Sequence, residues 1–172
     1  MLRCLCLVSM QTISLTQGKV ALVDDEDYPF VMHWKWCAVR KKTPNFEHWI
    51  AATTIGNRPV TMHRLLTGCP EGLQVDHNNH DSLDNRRRKL RIVNHAKNQQ
   101  NRRKTLLKNG RKVTSPYKGV FWHKKLNRWS ATIRRDGKQR YLGVFKTEKE
   151  AAIAYDAAAK KIFGEFACLN FC

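Results

Sequence analysis

The stretch Val75–Asn101, VDHNNHDSLDNRRRKLRIVNHAKNQQN, sets Asp76, His77, His80, Asp81, Asp84, Asn85, His95 and Asn98 beside a cluster of arginines. Hard oxygen ligands, imidazoles and guanidinium groups in one short segment are the combination that chemistry on a phosphodiester requires. A divalent cation neutralises the nonbridging oxygens and the leaving 3′ oxygen, a base activates water, and basic side chains hold the flanking phosphates. Histidine can take a proton near neutrality. Aspartate and asparagine oxygens suit magnesium or manganese, and the lack of nearby cysteine argues against zinc. The segment reads as loop up to Asp84 and as helix-compatible after Asn94. Singly, such residues are common in turns and caps, and that reading, or an accessory phosphate contact, is preferred for His80 and His95. Asp76-His77 with Asn98 reads better as a catalytic set, because the arginines accompany it.

Around this segment the charge is uneven. Residues 1–60 hold 7 basic and 5 acidic side chains, 61–114 hold 13 and 4, and 115–172 hold 12 and 5. The first third is an ordinary folded platform by this measure, and the rest carries the electrostatic footprint of phosphate contact. The whole chain, 172 residues with net charge +18 and a pI near 10.1, favours polyanionic partners over acidic proteins. Its length fits one domain or two small ones. A hydrophobic share of 42% supports a core, so the charge is not that of a disordered tail. A mean hydropathy of -0.57 and the absence of any apolar run near the length of about 18 residues exclude a membrane helix. MLRCLCLVSM reads as a dispensable leader and not a secretion signal, with Met10 as an alternative start. The six cysteines, at 4, 6, 37, 69, 168 and 172, make no C-x-x-C pair and read as reduced thiols of a cytoplasmic protein.

Periodicity marks Lys19–Val23 and Trp49–Ile55 as short strands, with turns at Asp24–Asp27 and Gly56-Asn57. Val60–Leu66 runs to a stop at Gly68 and Pro70. Asn101–Thr114, NRRKTLLKNGRKVT, has six basic residues, no acid and an Asn109-Gly110 turn signal, and reads as a basic linker.

Several motifs occur in order: Met62-His63-Arg64, Val75-Asp76-His77, Leu83-Asp84-Asn85-Arg86-Arg87, Leu90-Arg91, then Asn98 and Asn101. Over residues 11–101 they resemble the HNH homing endonucleases of phages and mobile introns. The resemblance implies a ββα-metal fold in which Asp76 and Asn98 hold one Mg2+ or Mn2+ ion per active site and His77 is the general base. Asn85 would brace the loop and orient the base, and Arg86, Arg87 and Arg91 would grip phosphates. The separation of 22 residues between Asp76 and Asn98 suits a strand, an Ω-like loop and a returning helix. Where that family usually has asparagine before the Leu-Arg pair, this chain has Lys89, which bears on a local loop hydrogen bond more than on the chemistry. His63 either faces the site or packs beside Leu65 and Leu66.

From Ser115 the pattern changes to three alternating runs and a helix. Val120, Trp122, Trp129, Ala131, Ile133, Leu142 and Val144 share one face, and Phe121, His123, Arg128, Thr132, Arg134, Gln139 and Tyr141 the other. Turns fall at Leu126-Asn127 and Asp136-Gly137, and Thr147 with Glu150 makes a capping box for a helix ending at Gly164. Trp122 and Trp129 are read as core. The landmarks Tyr117-Lys118-Gly119-Val120, Tyr141-Leu142-Gly143, Glu150-Ala151-Ala152, Ala154-Tyr155-Asp156 and Leu169-Asn170-Phe171 resemble the plant ethylene-response-factor (APETALA) DNA-binding domain. The resemblance implies that the exposed sheet face, with Lys118, Phe121, His123, Thr132, Arg134, Gln139 and Tyr141, enters the major groove of double-stranded DNA. Several of that family's arginines are replaced here by Lys118, Phe121, His123 and Gln139, so the plant recognition sequence does not carry over.

The sequence thus predicts an α+β chain: an N-terminal ββα-metal nuclease domain (11–101), a basic linker (102–114) contributing Arg102 and Arg103 to DNA binding, and a three-stranded antiparallel sheet packed on one helix (115–172). The leading function is site-directed DNA cleavage, with a monomer favoured. A non-cleaving DNA-binding regulator and an RNA-binding protein are the rivals.

Overall fold

The computed structural model describes residues 9–43, 46–102, 104, 107–108 and 111–171. Most of the leader, Arg103 and the Asn109-Gly110 turn lie outside the described residues. The chain divides into two compact units, residues 1–95 and 96–172. This division falls inside the segment 11–101 anticipated as one domain.

In the first unit β1 (Met10–Ser14) pairs antiparallel with β2 (Val20–Asp24). After the one-turn helix α1 (Tyr28–Val31) come β3 (Cys37–Thr43), β4 (Phe46–Ile55) and β5 (Arg58–Thr61), an antiparallel sheet in that order. The tight turn between β4 and β5 uses Gly56 and Asn57, both at positive φ, the backbone that a two-residue hairpin of this twist demands. Helix α2 (Met62–Thr67) stops at Gly68 in the left-handed conformation. The segment read as continuous from Val60 to Leu66 is therefore a strand end followed by a helix. β6 (Gln74–His77) and β7 (Leu90–Val93) close the unit as an antiparallel pair. Alternate residues of each strand face inward, so that Ile13, Ala21, Val23, Ala38 and Ala51 meet Val31, Trp36, Met62, Leu66 and Leu90 in one core.

Helix α3 (His95–Asn101) has all but its first residue in the second unit. The segment read as linker contains a short ladder of β8 (Leu107–Lys108) on β9 (Arg111–Lys112). Nζ of Lys104 in the same segment donates to the carbonyls of Tyr117 at 2.6 Å and Val120 at 2.8 Å. β10 (Val120–His123), β11 (Arg128–Arg135) and β12 (Lys138–Phe145) then form an antiparallel meander, and α4 (Glu148–Phe163) packs on one face of it. Both halves of the Thr147/Glu150 capping box are present. Alanines 151, 152 and 159 of α4 are fully buried, and their small side chains let helix and sheet approach closely. The anticipated sheet-on-helix arrangement of the second unit is thus observed.

One assignment within it is corrected. Val144 does not share the core face: it is 41% exposed, and Phe145 packs inward in its stead. The register explains the exchange, because Ala131 pairs with Gly143 while Thr132 pairs with Tyr141, leaving Leu142 as an extra residue in β12. A bulge of one residue moves everything beyond it to the opposite face.

Candidate functional site

Strand β6 carries two of the anticipated catalytic residues side by side. Asp76, 6% exposed, lies opposite Arg91 across the ladder and accepts a 2.5 Å hydrogen bond from its Nη2. His77 is half-buried, and its ring meets that of His63 edge-on, centroids 5.3 Å apart and planes at 85°. Burial lowers the His77 pKa, against the opposing pull of the Asp76 charge and a side-chain hydrogen bond to Asn85. The imidazole is therefore neutral at physiological pH, the form that accepts a proton.

The loop after His77 is held by its own polar residues. His80 stands at positive φ and its N–H closes a turn on the His77 carbonyl at 2.9 Å. Asp81 accepts from the Leu83 N–H at 3.0 Å, and Ser82 Oγ donates to the Trp49 carbonyl at 2.6 Å. Asn85 is wholly buried: its N–H donates to the Leu22 carbonyl at 2.8 Å and its Nδ2 to the Leu83 carbonyl at 3.0 Å. Asn85 thus links the loop to strand β2, and its side chain also hydrogen-bonds His77. Lys89, the departure noted above, sits where its carbonyl accepts from the Asn78 N–H at 3.0 Å.

The anticipated phosphate-gripping arginines all have carboxylate partners. Arg86 holds Asp84 through Nε at 2.7 Å and Nη2 at 2.6 Å, with burial of Asp84 more than offset, so that its pKa stays low. Arg87 grips Asp27 through Nε at 2.8 Å and Nη2 at 2.6 Å while its N–H donates to Asp24. The Arg86 pair closes the loop on itself, and the Arg87 contacts pin it to the end of β2 and the turn that follows. Arg88, which the motif reading passed over, is exposed and makes no ion pair among the described residues. Asn98 lies on α3, in the second unit. No three His, Cys, Asp or Glu side chains converge on a metal position among the described residues. The carboxylate of Asp76 and the carboxamide of Asn98 are nonetheless hard oxygen donors, the type magnesium takes while keeping most of its waters.

Sequence reading left His63 open and missed His48. His63 faces His77, as described, and feels the charge of His48 on β4. His48 lies opposite Lys41, and burial and that lysine lower its pKa. The available signal was the period-2 pattern of β4, which puts His48, Ile50 and Ala52 on one face.

In the second unit the exposed sheet face assembles as anticipated. Cross-strand partners share a face, so the pairs Phe121–Ser130, His123–Arg128, Thr132–Tyr141 and Arg134–Gln139 stand on the side away from α4. Tyr141 is 62% exposed, and Arg134 and Gln139 are also exposed. Val144, displaced by the bulge, joins Phe121 there. Arg102 is exposed. Lys118 is not part of this open surface: its Nζ donates to the carbonyls of Gln100 at 2.6 Å and Arg102 at 2.7 Å, and burial lowers its pKa. No helix among the described residues is long and apolar enough to cross a membrane.

Residues 115–165 match the family model of the AP2 domain. This region is similar to the AP2-like ethylene-responsive transcription factor TOE2 of Arabidopsis thaliana, 46% identical over 61 residues, which is 36% of this chain and 13% of the plant protein. A second Arabidopsis factor of the same kind, PLT2, is 51% identical over 59 residues, 33% of this chain and 10% of that one. The chain therefore spans only about a tenth of these plant relatives. An uncharacterized HNH endonuclease of Acanthamoeba polyphaga mimivirus is 26% identical over 161 residues, covering 90% of this chain and 76% of the viral protein.

Proposed function

We propose that the chain is a metal-dependent DNA endonuclease whose second unit binds the duplex and whose first unit cuts it. The carrying observation is the placement of His77: next to Asp76 on β6, hydrogen-bonded to Asn85, and packed on the His63 ring, with burial holding its pKa below the ordinary value. A base kept neutral can take the proton of the attacking water, and Asn85 fixes its orientation. The order β6, β7, α3 agrees with a ββα-metal fold, and the likeness to the viral endonuclease extends over both units. Asp76 and Asn98 would hold a magnesium or manganese ion, Asn98 on the strength of the resemblance alone; when bound, such an ion stabilises charge on the phosphate and on the leaving oxygen. The exposed face of β10–β12 supplies groove contacts, and the basic side chains around it supply phosphate contacts.

The test is a supercoiled-plasmid assay at low salt with magnesium or manganese against EDTA, comparing the native chain with His77→Ala. Metal-dependent relaxed or linear product from the native chain alone is expected, with duplex binding unchanged in the variant, since a base acts only in the transition state. If about eight phosphates are contacted, log affinity falls against log salt with a slope near -7.

The second reading is a DNA-binding protein that does not cut. It is favoured by the much higher identity to plant transcription factors in the second unit than to the endonuclease overall. Tight duplex binding with no product under any metal condition would select it.

A further inference from the structure

His63 has no task in the chemistry above, yet its ring packs directly on that of His77. It stands in the first turn of α2, between Met62, which is fully buried, and Arg64, whose Nη2 is tied to the Cys69 carbonyl at 2.9 Å. Nε2 shares a 3.0 Å hydrogen bond with Oγ1 of Thr61, the residue that precedes the helix. Nδ1 is buried and has no hydrogen-bond partner among the described residues. An imidazole with one nitrogen orphaned is a costly way to fill space, which Leu65 and Leu66 next to it would fill more cheaply.

We propose that His63 is a positioning residue for the base: Thr61 fixes the rotation of the His63 ring, and the edge-on packing of that ring fixes the orientation of His77. The inference rests on the nuclease reading for its consequence in catalysis, but not for the ring geometry. A proton relay between the two histidines is a poorer account, because burial, then His77 and Arg64, pushes the His63 pKa down to about 3. The ring is thus a fixed neutral partner at any pH where His77 could act. Two rings held edge to face at 85° leave His77 less rotational freedom than an aliphatic neighbour would.

The experiment uses the full chain with His63→Ala, His63→Phe and Thr61→Val, each first checked for a cooperative unfolding transition. Single-turnover cleavage and duplex affinity are measured, together with the ring nitrogen resonances of His77. His63→Ala is expected to lose about 100-fold in rate with affinity unchanged, the scale of a small misplacement of a reacting group. His63→Phe, which keeps the ring edge, should recover to within about tenfold of the native rate. His77 should show one tautomer in the native and Phe chains and an averaged pair of signals in His63→Ala, with Thr61→Val between them. A native rate with native His77 signals in His63→Ala overturns the proposal. So does His63→Phe behaving like His63→Ala. Should the native chain bind duplex but not cut, the nuclease reading fails, and the His77 resonances still decide the positioning: signals unchanged in His63→Ala reject it. If His63→Ala does not fold, Thr61→Val and His63→Phe carry the same comparison.

Discussion

Asp76 and Arg91 face each other across the β6–β7 ladder, the carboxylate buried and the guanidinium Nη2 2.5 Å from its Oδ2. This pair gives the arginine of the Leu90-Arg91 motif a different first duty from phosphate binding: it neutralises a carboxylate that the strand has carried out of water. Removing one member of a buried pair leaves the other charge uncompensated. Arg91→Met should therefore destabilise the first unit by about 3 kcal/mol, and adding Asp76→Asn should return most of that loss. Urea unfolding of the two singles and the double measures it. Unchanged stability with a shallower salt dependence of DNA binding would reassign Arg91 to phosphate.

Gly119 allows the second unit to close. Its φ is +76°, and a Cβ built there would lie 2.0 Å from Cδ2 of Tyr155 and 2.6 Å from the Thr132 carbonyl oxygen. Neither neighbour can yield easily, because Tyr155 is a buried side chain of α4 and the carbonyl belongs to β11. Gly119→Ala should cost about 2–4 kcal/mol through the added strain and overpacking together. Gly137, also at positive φ but with nothing within 4 Å, should tolerate alanine better. Thermal unfolding of the two variants checks the ordering, and equal losses would show that backbone strain alone decides.

Acid should loosen the first unit before carboxylates titrate. His63 is neutral in the fold, with a pKa near 3, and takes a proton in the unfolded chain below its ordinary value of 6.5. Between those limits the unfolded state binds more protons, so stability is full above 6.5 and is lost as pH falls toward 3. Asp84 adds a loss of the same sign at lower pH: burial raises its pKa, but Arg86 more than reverses this, so its contribution is present above the ordinary 3.8 and disappears below it. Unfolding midpoints of the native chain and His63→Phe across this range separate the two. A variant with the same slope as the native chain between pH 6.5 and 4 would remove His63 from the account.

The sequence was most legible where local patterns and tertiary demands coincide. The Asp136-Gly137 turn, the Thr147/Glu150 cap and the alternation of β10 and β11 each depend on neighbours a few residues away, and each is observed. Val144 was misread because a bulge breaks the period of the strand, and its local signal, Gly143 at φ +130° beside the extra Leu142, carries no side chain for an alternation pattern to register. In the first unit Asp76 and His77 stood out by residue type and Asn85 by the resemblance to the HNH endonucleases, and the structure brings His77 and Asn85 together. The partners of Arg86, Arg87 and Arg91 were not legible, because Asp27 lies 60 residues from Arg87 and an arginine-rich run looks alike whether it faces phosphate or carboxylate. His63 could not be placed for the same reason: its contact with His77 is made by the packing of α2 against β6, not by sequence proximity.

Lys118 gives the sharpest contrast between motif and environment. By its place in the Tyr117-Lys118-Gly119-Val120 landmark it should read the groove with Arg134, yet its ammonium is already bound to the carbonyls of Gln100 and Arg102, where it caps the end of α3. A lysine that contacts phosphate releases a counterion and contributes about -0.9 to the slope of log affinity against log salt. Lys118→Met should leave that slope unaltered while making the backbone amides that follow α3 exchange faster with solvent. Arg134→Ala, by contrast, removes an exposed guanidinium opposite Gln139 on the open sheet face and should weaken duplex binding by about 1–3 kcal/mol. Titrations at three salt concentrations distinguish the two variants. A slope that becomes less negative by about one unit in Lys118→Met, with exchange unchanged, would return this lysine to the DNA surface.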